Sequence, residues 1–280
     1  MSRPYDVTVV VACLNAASTL QRCIDSVTAQ QGLAIQLVVA DGGSTDGTVD
    51  ILGDNDRVID DWQSGPDNGV YGAWNKALAK AAGDWVCFLG ADDAFAGDAV
   101  LQRLVEAGRR VESDLVCSRV RYPDGKLVGQ PWEWSKMVRF MCVAHPGMLH
   151  RRTLFERYGN FSEHYRIAGD YEFLLRLGPQ VKAAFVDEAT VEVGGSGLSS
   201  DTLASLKEMR LVQARHPSVG PVRAAANYGY CLFERGIWAA LDRVPFPVPQ
   251  HAGLRAVGGL LGLHRHDYDP ELPTGGKKGG

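Results

Sequence analysis

Apolar runs alternate with amphipathic segments along the first half of the chain. Continuous apolar and β-branched runs at residues 7–14, 35–40 and 85–90 predict strands that are covered on both faces. A shorter run at 57–60 predicts another strand, third in chain order. Helices are predicted between the strands, at residues 18–30, from 48 onward and at 68–83. Strands that alternate with helices in this way predict a doubly wound, mainly parallel α/β sheet.

Local signals mark the ends of two of these helices. Ser18 is followed three residues later by Gln21, which matches a capping box and predicts the start of the first helix. In the third helix Val70 and Trp74 belong to an apolar repeat close to the 3.6-residue period, and Gly83 predicts its end.

The second half of the chain is less regular. A Pro-Asp-Gly turn within residues 114–130 predicts two paired strands. The later pattern predicts a strand and then a helix across 147–159, a helix at 169–178, a strand at 181–190 and helices from 202 onward.

Acidic side chains follow three of the predicted strands. Asp41 follows the second strand, Asp67 and Asn68 follow the third, and Asp92 and Asp93 follow the fourth. Because ligands of such sheets bind beyond the carboxyl ends of the strands, these loops predict one site along that edge.

Composition and charge narrow the function classes. The chain has 280 residues, is 45% hydrophobic and carries a net charge of −4, which argues against nucleic acid as a partner. Its six cysteines form no C-x-x-C pair, which is typical of reduced thiols in a cytosolic protein. We expect neither a signal peptide nor a membrane-spanning segment, because the apolar runs are too short.

Several cofactor motifs are absent from the sequence. It has no G-x-G-x-x-G, P-loop, H-E-x-x-H or G-x-S-x-G, and residues 41–52 fail the spacing of a calcium loop. Asp92 and Asp93 remain as oxygen ligands for a small divalent cation that shares its other ligands with water and phosphate. A bound nucleoside diphosphate leaving group suits this arrangement. The alternative is that these acids only cap the following turn.

Four sequence segments carry a resemblance to a known family. They are "VVADGGSTDGT" at 38–48, "SGPDNGVYGAWNKALAKAAGDWVCFLGADD" at 64–93, "HPGMLHRR" at 145–152 and "FSEHYRIAGDYEFLLRLG" at 161–178. In this order they resemble glycosyltransferase family 2, inverting enzymes with the GT-A fold, and within it bacterial members that build surface polysaccharide.

The resemblance implies the domain organisation. It covers about residues 5–195 and implies a GT-A-like Rossmann-type sandwich with a mainly parallel central sheet, plus C-terminal helices. We expect a catalytic domain over 1–200, whose nucleotide-binding half is about 1–95 and whose acceptor-binding half is about 96–200. A helical extension over 201–268 and a disordered tail over 269–280 are expected to follow.

The resemblance also implies roles for the donor-side residues. It implies that Asn15 and Asp41 lie against the nucleobase and that Asp67 contacts the nucleotide or its ribose. Lys76 belongs to the "NKAL" segment typical of this helix. Asp92 and Asp93 stand at the family's Asp-x-Asp-type motif. Asp93 is the expected direct ligand of Mn²⁺ or Mg²⁺.

Asp170 is the expected catalytic base. The resemblance matches it to an acid that follows a Glu in many relatives, although this chain has Gly169 there. Independently, a carboxylate at the start of a helix stays ionised with the help of the helix dipole and is suited to accept a proton. The alternative is that Asp170 only caps its helix.

Three further residues are candidates for acceptor or phosphate contacts. They are His145 and Trp132, for which the alternative is a structural role in the core, and Arg166, for which the alternative is a solvated charge. The C-terminal helices are candidates for peripheral contact with a membrane surface, or for packing against the catalytic domain.

The expected function is therefore transfer of a sugar from a nucleotide sugar, by family frequency a UDP-sugar, to a hydroxyl of a saccharide or lipid-linked acceptor. The setting would be polysaccharide or glycoconjugate biosynthesis in the cytoplasm, at the inner face of the membrane. The alternatives are a nucleotidyltransferase, although "CLNAAST" lacks the Gly and basic residues of its phosphate loop, and an inactive sugar-binding scaffold.

Overall fold

A computed structural model describes residues 5–195 and 202–241 of the chain, and the side chains of residues 5–195 and 203–233. Two compact units divide the chain, residues 1–198 and 199–280. The first unit contains β1 (Val7–Cys13), α1 (Leu20–Thr28), β2 (Ile35–Asp41), α2 (Thr48–Asp54), β3 (Asp61–Ser64), α3 (Val70–Leu78), β4 (Trp85–Gly90), β5 (Ala94–Phe95), α4 (Val100–Arg110), β6 (Leu115–Arg121), β7 (Leu127–Val128), α5 (Trp134–Met137), β8 (Leu149–Arg151), α6 (Arg152–Tyr158), α7 (Gly169–Leu177) and β9 (Ala183–Glu192).

The strands of the described residues form a single mixed sheet in the order β3-β2-β1-β4-β8-β6-β9-β5, with β7 paired to β6. The first four of these strands are parallel to one another, as the sequence predicts. The short β8 lies antiparallel between β4 and β6, and β9 runs parallel to β6. The mainly parallel α/β fold class is therefore confirmed, and every antiparallel pair among the described residues includes a strand that follows β4 in the chain.

Continuous apolar runs become the central strands because both of their faces are covered. Val9, Val10 and Phe88 of β1 and β4 are fully buried. Helix α1 buries Leu20, Cys23, Ile24 and Val27, the stripe that an amphipathic helix lays against a sheet.

Three of the predicted boundaries are wrong. The strand predicted at 57–60 lies at Asp61–Ser64, because Ile59 enters the core from the turn that precedes β3. Helix α1 has Thr19 at its N-cap without a side-chain cap bond, so the Ser18–Gln21 capping box does not form. Helix α3 ends at Leu78, and Gly83 instead allows close approach to β1, since a Cβ there would lie 2.5 Å from the backbone nitrogen of Thr8.

The second unit contains two described helices, α8 (Thr202–Arg215) and α9 (Gly220–Leu241). The two helices pack on each other, and the Asn227 amide donates to Gln213 at 3.1 Å. The predicted helical pattern after residue 202 is confirmed through Leu241. The rest of the predicted extension and the predicted tail at 269–280 lie outside the described residues. None of the helices described is long and apolar enough to span a bilayer.

Candidate active site

The ends of three parallel strands bring the predicted acidic loops together. Cys13 at the end of β1 is in register with Asp41 of β2, and Ala12 is in register with Gly90 of β4. Asp41 and the Asp92–Asp93 pair therefore flank the end of β1, at the edge where ligands of such sheets bind.

Asp41 holds the loop that follows β2. Its carboxylate accepts hydrogen bonds from the backbone amides of Gly43 and Ser44, at 3.1 and 2.9 Å, and from the hydroxyls of Ser44 and Ser64. Burial by itself would raise the pKa of Asp41, but the hydrogen bonds from Ser44 and Ser64 outweigh it and lower the pKa. The structure thus places Asp41, 3% exposed, as an ionised anchor of the loop.

Asn15 joins the loops after β1 and β2. Its backbone is in the left-handed region at φ 51°, where Asn is tolerated better than most residues. Its backbone amide donates to the Ser44 hydroxyl at 2.7 Å, and its side-chain oxygen accepts from the Thr45 amide at 2.9 Å. Asn15 is therefore part of the same rim as Asp41.

Asp67 and Lys76 line an open groove of about 350 Å³ beside that rim. The Asp67 carboxylate accepts from the Gly69 amide at 2.8 Å, and the Lys76 ammonium donates to the Pro66 carbonyl at 2.9 Å. A Cβ on Gly42 would lie 3.0 Å from Asp67 Oδ2, so Asp67 packs against the loop that Asp41 anchors. The structure brings these predicted donor-side residues together.

Glu163 completes the groove and was missed by the sequence analysis. It accepts hydrogen bonds from the amides of Asn68 at 2.9 Å and Asn75 at 3.2 Å. These bonds lower the pKa of Glu163 and keep it ionised. The spacing of Asn68 and Asn75 about two helical turns apart was visible in the sequence, but their partner lies too far along the chain for any local signal.

Asp93 is built into the turn that follows β4. It is 4% exposed, and its two carboxylate oxygens accept from the backbone amides of Gly90 at 2.9 Å and Gly194 at 3.1 Å. Burial and the neighbouring Asp92 raise its pKa to about 6. The expected metal ligand thus binds the end of β9 to the end of β4.

Asp92 is half-buried beside it and faces a close backbone approach. Gly194 packs against its side chain so tightly that a Cβ there would lie 2.5 Å from Asp92 Cγ. The Arg22 guanidinium of α1 donates to the backbone carbonyl of Asp92 and places a positive charge near both acids.

The donor set at this turn fits a divalent cation that takes most of its ligands from a substrate. Carboxylate oxygens suit Mg²⁺ or Mn²⁺, and the second carboxylate of the pair is already committed to backbone amides. Among the described residues there is no group of three or more His, Cys, Asp or Glu side chains that could hold a metal by themselves.

Asp170 lies in the first turn of α7, half-buried, as predicted. Its Oδ1 accepts from the amide of Tyr171 at 2.8 Å and lies 3.0 Å from the hydroxyl of Tyr71 on α3. Residue 169 is Gly in place of the Glu of many relatives because a Cβ at this position would lie 2.8 Å from the Tyr71 ring. Tyr71, which the sequence analysis did not single out, occupies the room that a larger residue 169 would need.

His145 lies in the aromatic core of the first unit. It is 5% exposed and stacks on Trp74 and Phe88, with ring centroids 5.1 and 5.6 Å away. Burial lowers its pKa to about 3, so the ring is neutral. The predicted contact with phosphate or acceptor does not fit this position, since the ring is shielded from solvent.

The other two candidate contacts lie nearer the surface. Trp132 is half-buried, and Arg166 is exposed on the segment that leads to α7. A role of Trp132 and Arg166 in acceptor binding therefore stays a prediction.

Comparisons with known proteins place this geometry in a family. The family model described as "Glycosyl transferase family 2" matches residues 8–170. A PGL/p-HBAD biosynthesis glycosyltransferase of Mycobacterium bovis (strain BCG / Pasteur 1173P2) is 32% identical over 177 residues, which cover 60% of this chain and 68% of that protein.

Solved structures show the same fold. TarS 1-349 of S. aureus in complex with UDP-GlcNAc matches with a TM-score of 0.62 at 17% identity, over 81% of this chain and 71% of that chain. The match to a longer TarS chain spans only 43% of its length. The mannosyltransferase PcManGT of Pyrobaculum calidifontis, in complex with GDP-Man and Mn²⁺, matches with a TM-score of 0.60 at 19% identity, over 95% of this chain and 83% of that chain.

These structural likenesses establish a GT-A fold. Because the family model matches more than half of the sequence, from the first strand to Asp170, the chain belongs to glycosyl transferase family 2.

Proposed function

We propose that this protein is an inverting glycosyltransferase that moves a sugar from a nucleotide-sugar donor to a hydroxyl of a saccharide or lipid-linked acceptor. The observation that carries the proposal is the family match over residues 8–170, which contains the acids at the strand ends and terminates on Asp170. The name of the mycobacterial relative supports a place in glycoconjugate biosynthesis.

The donor is proposed to bind along the rim from Asn15 to Lys76. Related folds bind UDP-GlcNAc or GDP-Man, which supports a nucleotide sugar, and we propose a UDP-sugar. Asp41 and Asn15 would shape the base-binding loop, Asp67 would contact the ribose, and Lys76 would add positive charge in the groove.

Asp170 is proposed to be the general base. It would take the proton of the acceptor hydroxyl while that oxygen forms a bond to the anomeric carbon. The bond between that carbon and the diphosphate oxygen breaks on the opposite face, so the configuration inverts and the proton leaves from Asp170 to solvent. Such assistance is typically worth about 10²–10⁴-fold in rate.

A divalent metal would be held at the turn after β4, and it would neutralise charge on the departing diphosphate when bound. We propose Asp92 as its protein ligand in place of Asp93, because both Asp93 oxygens already accept backbone amides and the side chain is buried. The Mn²⁺ in the mannosyltransferase complex supports a metal here. Arg22 would add a second positive charge beside the diphosphate.

The acceptor side is proposed to include Trp132 and Arg166, an aromatic surface and a cation. Contact of the C-terminal helices with a membrane surface would bring a lipid-linked acceptor within reach. A cytoplasmic location at the inner face of the membrane is supported by the six buried free cysteines.

Thermal unfolding with UDP, GDP and CDP, each with and without Mn²⁺, tests the donor. We expect one diphosphate to raise Tm by several degrees and Mn²⁺ to enlarge that shift, because a ligand that binds only the folded state stabilises it. If none of the three nucleotides changes Tm, the protein is a scaffold rather than a transferase.

Transfer activity and the anomeric configuration of the product test the reaction. Asp170→Asn is expected to reduce kcat by about 10²–10⁴-fold while the protein stays folded. Glu172→Gln is the matched control in the same turn of α7, where it weakens the two hydrogen bonds that Glu172 accepts from Arg176, at 3.1 and 3.0 Å, and should retain most of the activity. A product that keeps the donor's configuration, or an active Asp170→Asn protein, would contradict the assignment.

A further inference from the structure

We propose that the Tyr71 hydroxyl is a positioning residue for Asp170, and that its hydrogen alternates between Asp170 and the Ile167 carbonyl as Asp170 loses and gains a proton. This inference rests on the proposed role of Asp170 as the base. It assigns to α3 the task of holding that base relative to the donor groove.

Two acceptors compete for the single hydrogen of Tyr71. The hydroxyl oxygen lies 3.0 Å from Asp170 Oδ1 and 2.5 Å from the Ile167 carbonyl oxygen. A phenol donates one hydrogen bond and accepts others, so it cannot donate to both acceptors at once. The short distance to Ile167 and the longer one to Asp170 are compatible with donation to either.

The two protonation states of Asp170 use this geometry differently. When Asp170 is ionised, Tyr71 donates to it and stabilises the negative charge. When Asp170 has taken the acceptor's proton, it can donate to the Tyr71 oxygen, and the phenol hydrogen turns to Ile167. Tyr71 keeps its own proton throughout, so the proton of the acceptor hydroxyl passes only through Asp170.

The surroundings of Tyr71 keep it a phenol and hold its ring still. Burial and the neighbouring Asp170 hold the pKa of Tyr71 well above its ordinary value. Its ring is 3% exposed, meets the Trp74 ring edge-on at 5.4 Å and lies directly against Gly169. The hydroxyl hydrogen is therefore the part that is free to move.

The segment before Asp170, which we call the strap (residues 161–167), is held by the same helix. The Asn75 side chain donates to the Phe161 carbonyl at 2.9 Å and accepts from the Phe161 amide at 3.0 Å. Glu163 of the strap is bound by Asn68 and Asn75. Because α3 begins at Val70, three residues after Asp67, and its Tyr71 and Asn75 bind Ile167 and Phe161, it connects the donor groove to both ends of the strap.

Other ionisable groups lie on α7, on the strap and on the helices that contact α7, and the proposed test leaves them unchanged. They are Lys76 on α3, Glu163, His164, Tyr165 and Arg166 on the strap, Tyr171, Glu172 and Arg176 on α7, Arg152, Glu156, Arg157 and Tyr158 on α6, and Glu133 and Lys136 at α5. A change in pH dependence on removal of one hydroxyl is then assigned to that hydroxyl.

Tyr71→Phe removes the hydroxyl and keeps the ring that fills the space beside Gly169. Loss of a donor to the ionised carboxylate should raise the pKa of the base, so we expect the acidic limb of the kcat–pH profile to move to higher pH by about one unit. At a pH on that limb kcat should fall about tenfold, whereas KM for the donor stays unchanged. Tyr5→Phe is the matched control, since Tyr5 donates to Asp60 at 2.8 Å away from the strap, and it should leave the profile unmoved.

A second variant keeps the inference testable if Tyr71→Phe folds poorly. Site-specific 3-fluorotyrosine at position 71 preserves the ring and makes the hydroxyl a stronger donor, so the acidic limb should move to lower pH. Wild-type profiles in both proteins, with Asp170→Asn inactive, would overturn the role of Tyr71 and leave the proposed function standing. An active Asp170→Asn protein would overturn both.

Discussion

A buried aspartate stands at each of the turns that end β2 and β4, yet the pKa values of the two carboxylates are shifted in opposite directions. Asp41 accepts hydrogen bonds from two hydroxyls and two backbone amides, and its pKa is lowered. Among the described residues Asp93 accepts from two backbone amides, with Asp92 beside it, and its pKa is raised to about 6. Burial raises the pKa of both acids, but at Asp41 the hydrogen bonds from the two serines outweigh it, whereas at Asp93 the neighbouring Asp92 adds to it.

That difference suggests a division of work between the loops. The loop after β2 is held by a fixed negative charge. The loop after β4 carries two adjacent acids whose mutual repulsion a bound cation would relieve. Burial of Asp93 against backbone amides leaves Asp92 to face that cation in our proposal.

The largest expected effect separates the two acids of the β4 loop. Mutation of groups around a metal ligand typically weakens metal affinity by 10–100-fold, so Asp92→Asn, which alters the ligand itself, should weaken Mn²⁺ by about 100-fold. Asp93→Asn should weaken it less, because its oxygens serve the turn. Titration of Mn²⁺ into the nucleotide complex by calorimetry measures both, and equal losses would return the ligand role to Asp93.

The next effect concerns the opposite pH dependence of the two buried acids. A raised folded-state pKa stabilises the fold below the unfolded pKa and loses that contribution as pH rises to the folded value. Asp93 should therefore cost stability between about pH 4 and 6, by about 3 kcal/mol for its shift. Asp41, whose pKa is lowered, should stabilise the fold at neutral pH and lose this contribution as pH falls below its ordinary value.

Urea unfolding of Asp41→Asn and Asp93→Asn from pH 4 to 7, in metal-free buffer, compares these slopes. Asp93→Asn should gain stability relative to wild type as pH rises, whereas Asp41→Asn should lose it. Each Asn leaves some donors unpaired, which adds a cost that does not vary with pH. If the free energies of unfolding of the two variants, relative to wild type, changed with pH in the same direction, the number of hydrogen bonds would not control the pKa values of these acids.

The smallest effect comes from the buried histidine pair, which acts in the same pH range. The ring centroids of His145 and His150 lie 5.1 Å apart in the aromatic core, and burial lowers the pKa of both side chains. Since His145 must stay neutral, the fold should lose stability as pH falls below about 6.5, by about 2 kcal/mol from this residue at pH 5. His145→Phe should remove that loss, so that the pH dependence of stability caused by Asp93 can be measured more clearly. If His145→Phe lost as much stability as wild type when the pH falls below about 6.5, His145 would not be the cause of that loss.

Much of the fold follows from local patterns. The runs at β1, β2 and β4 are long and apolar, so their ends were predictable within a residue or two. The short run at 57–60 misled because Ile59 is buried from a turn, which looks the same as a strand residue in a short pattern. The position of β8 between β4 and β6 could not be predicted from a local pattern, because its three residues pair with strands that are distant in sequence.

In the candidate site, too, local sequence patterns predicted some residues and missed others. Asp41, Asp67, Asp92 and Asp170 were visible in the sequence because each stands at or after the end of a strand or at the start of a helix. His145 was misplaced because a histidine beside Pro146 and Gly147 reads alike whether its ring points to solvent or into an aromatic core. Tyr71 and Glu163 were overlooked because tyrosine in an amphipathic helix and glutamate in a loop are ordinary in isolation.

The sequence by itself determined the fold class, the edge of the sheet that holds the acids and the membership in a family, because periodicity and ordered motifs are local properties of the chain. Tertiary structure alone decided which carboxylate of the Asp92–Asp93 pair accepts hydrogen bonds from two backbone amides. The decisive hydrogen bonds join Gly194 to Asp93, Tyr71 to Asp170 and Asn68 to Glu163, across 101, 99 and 95 residues respectively. Such pairs form only after the sheet has brought distant segments together, so no local pattern records them.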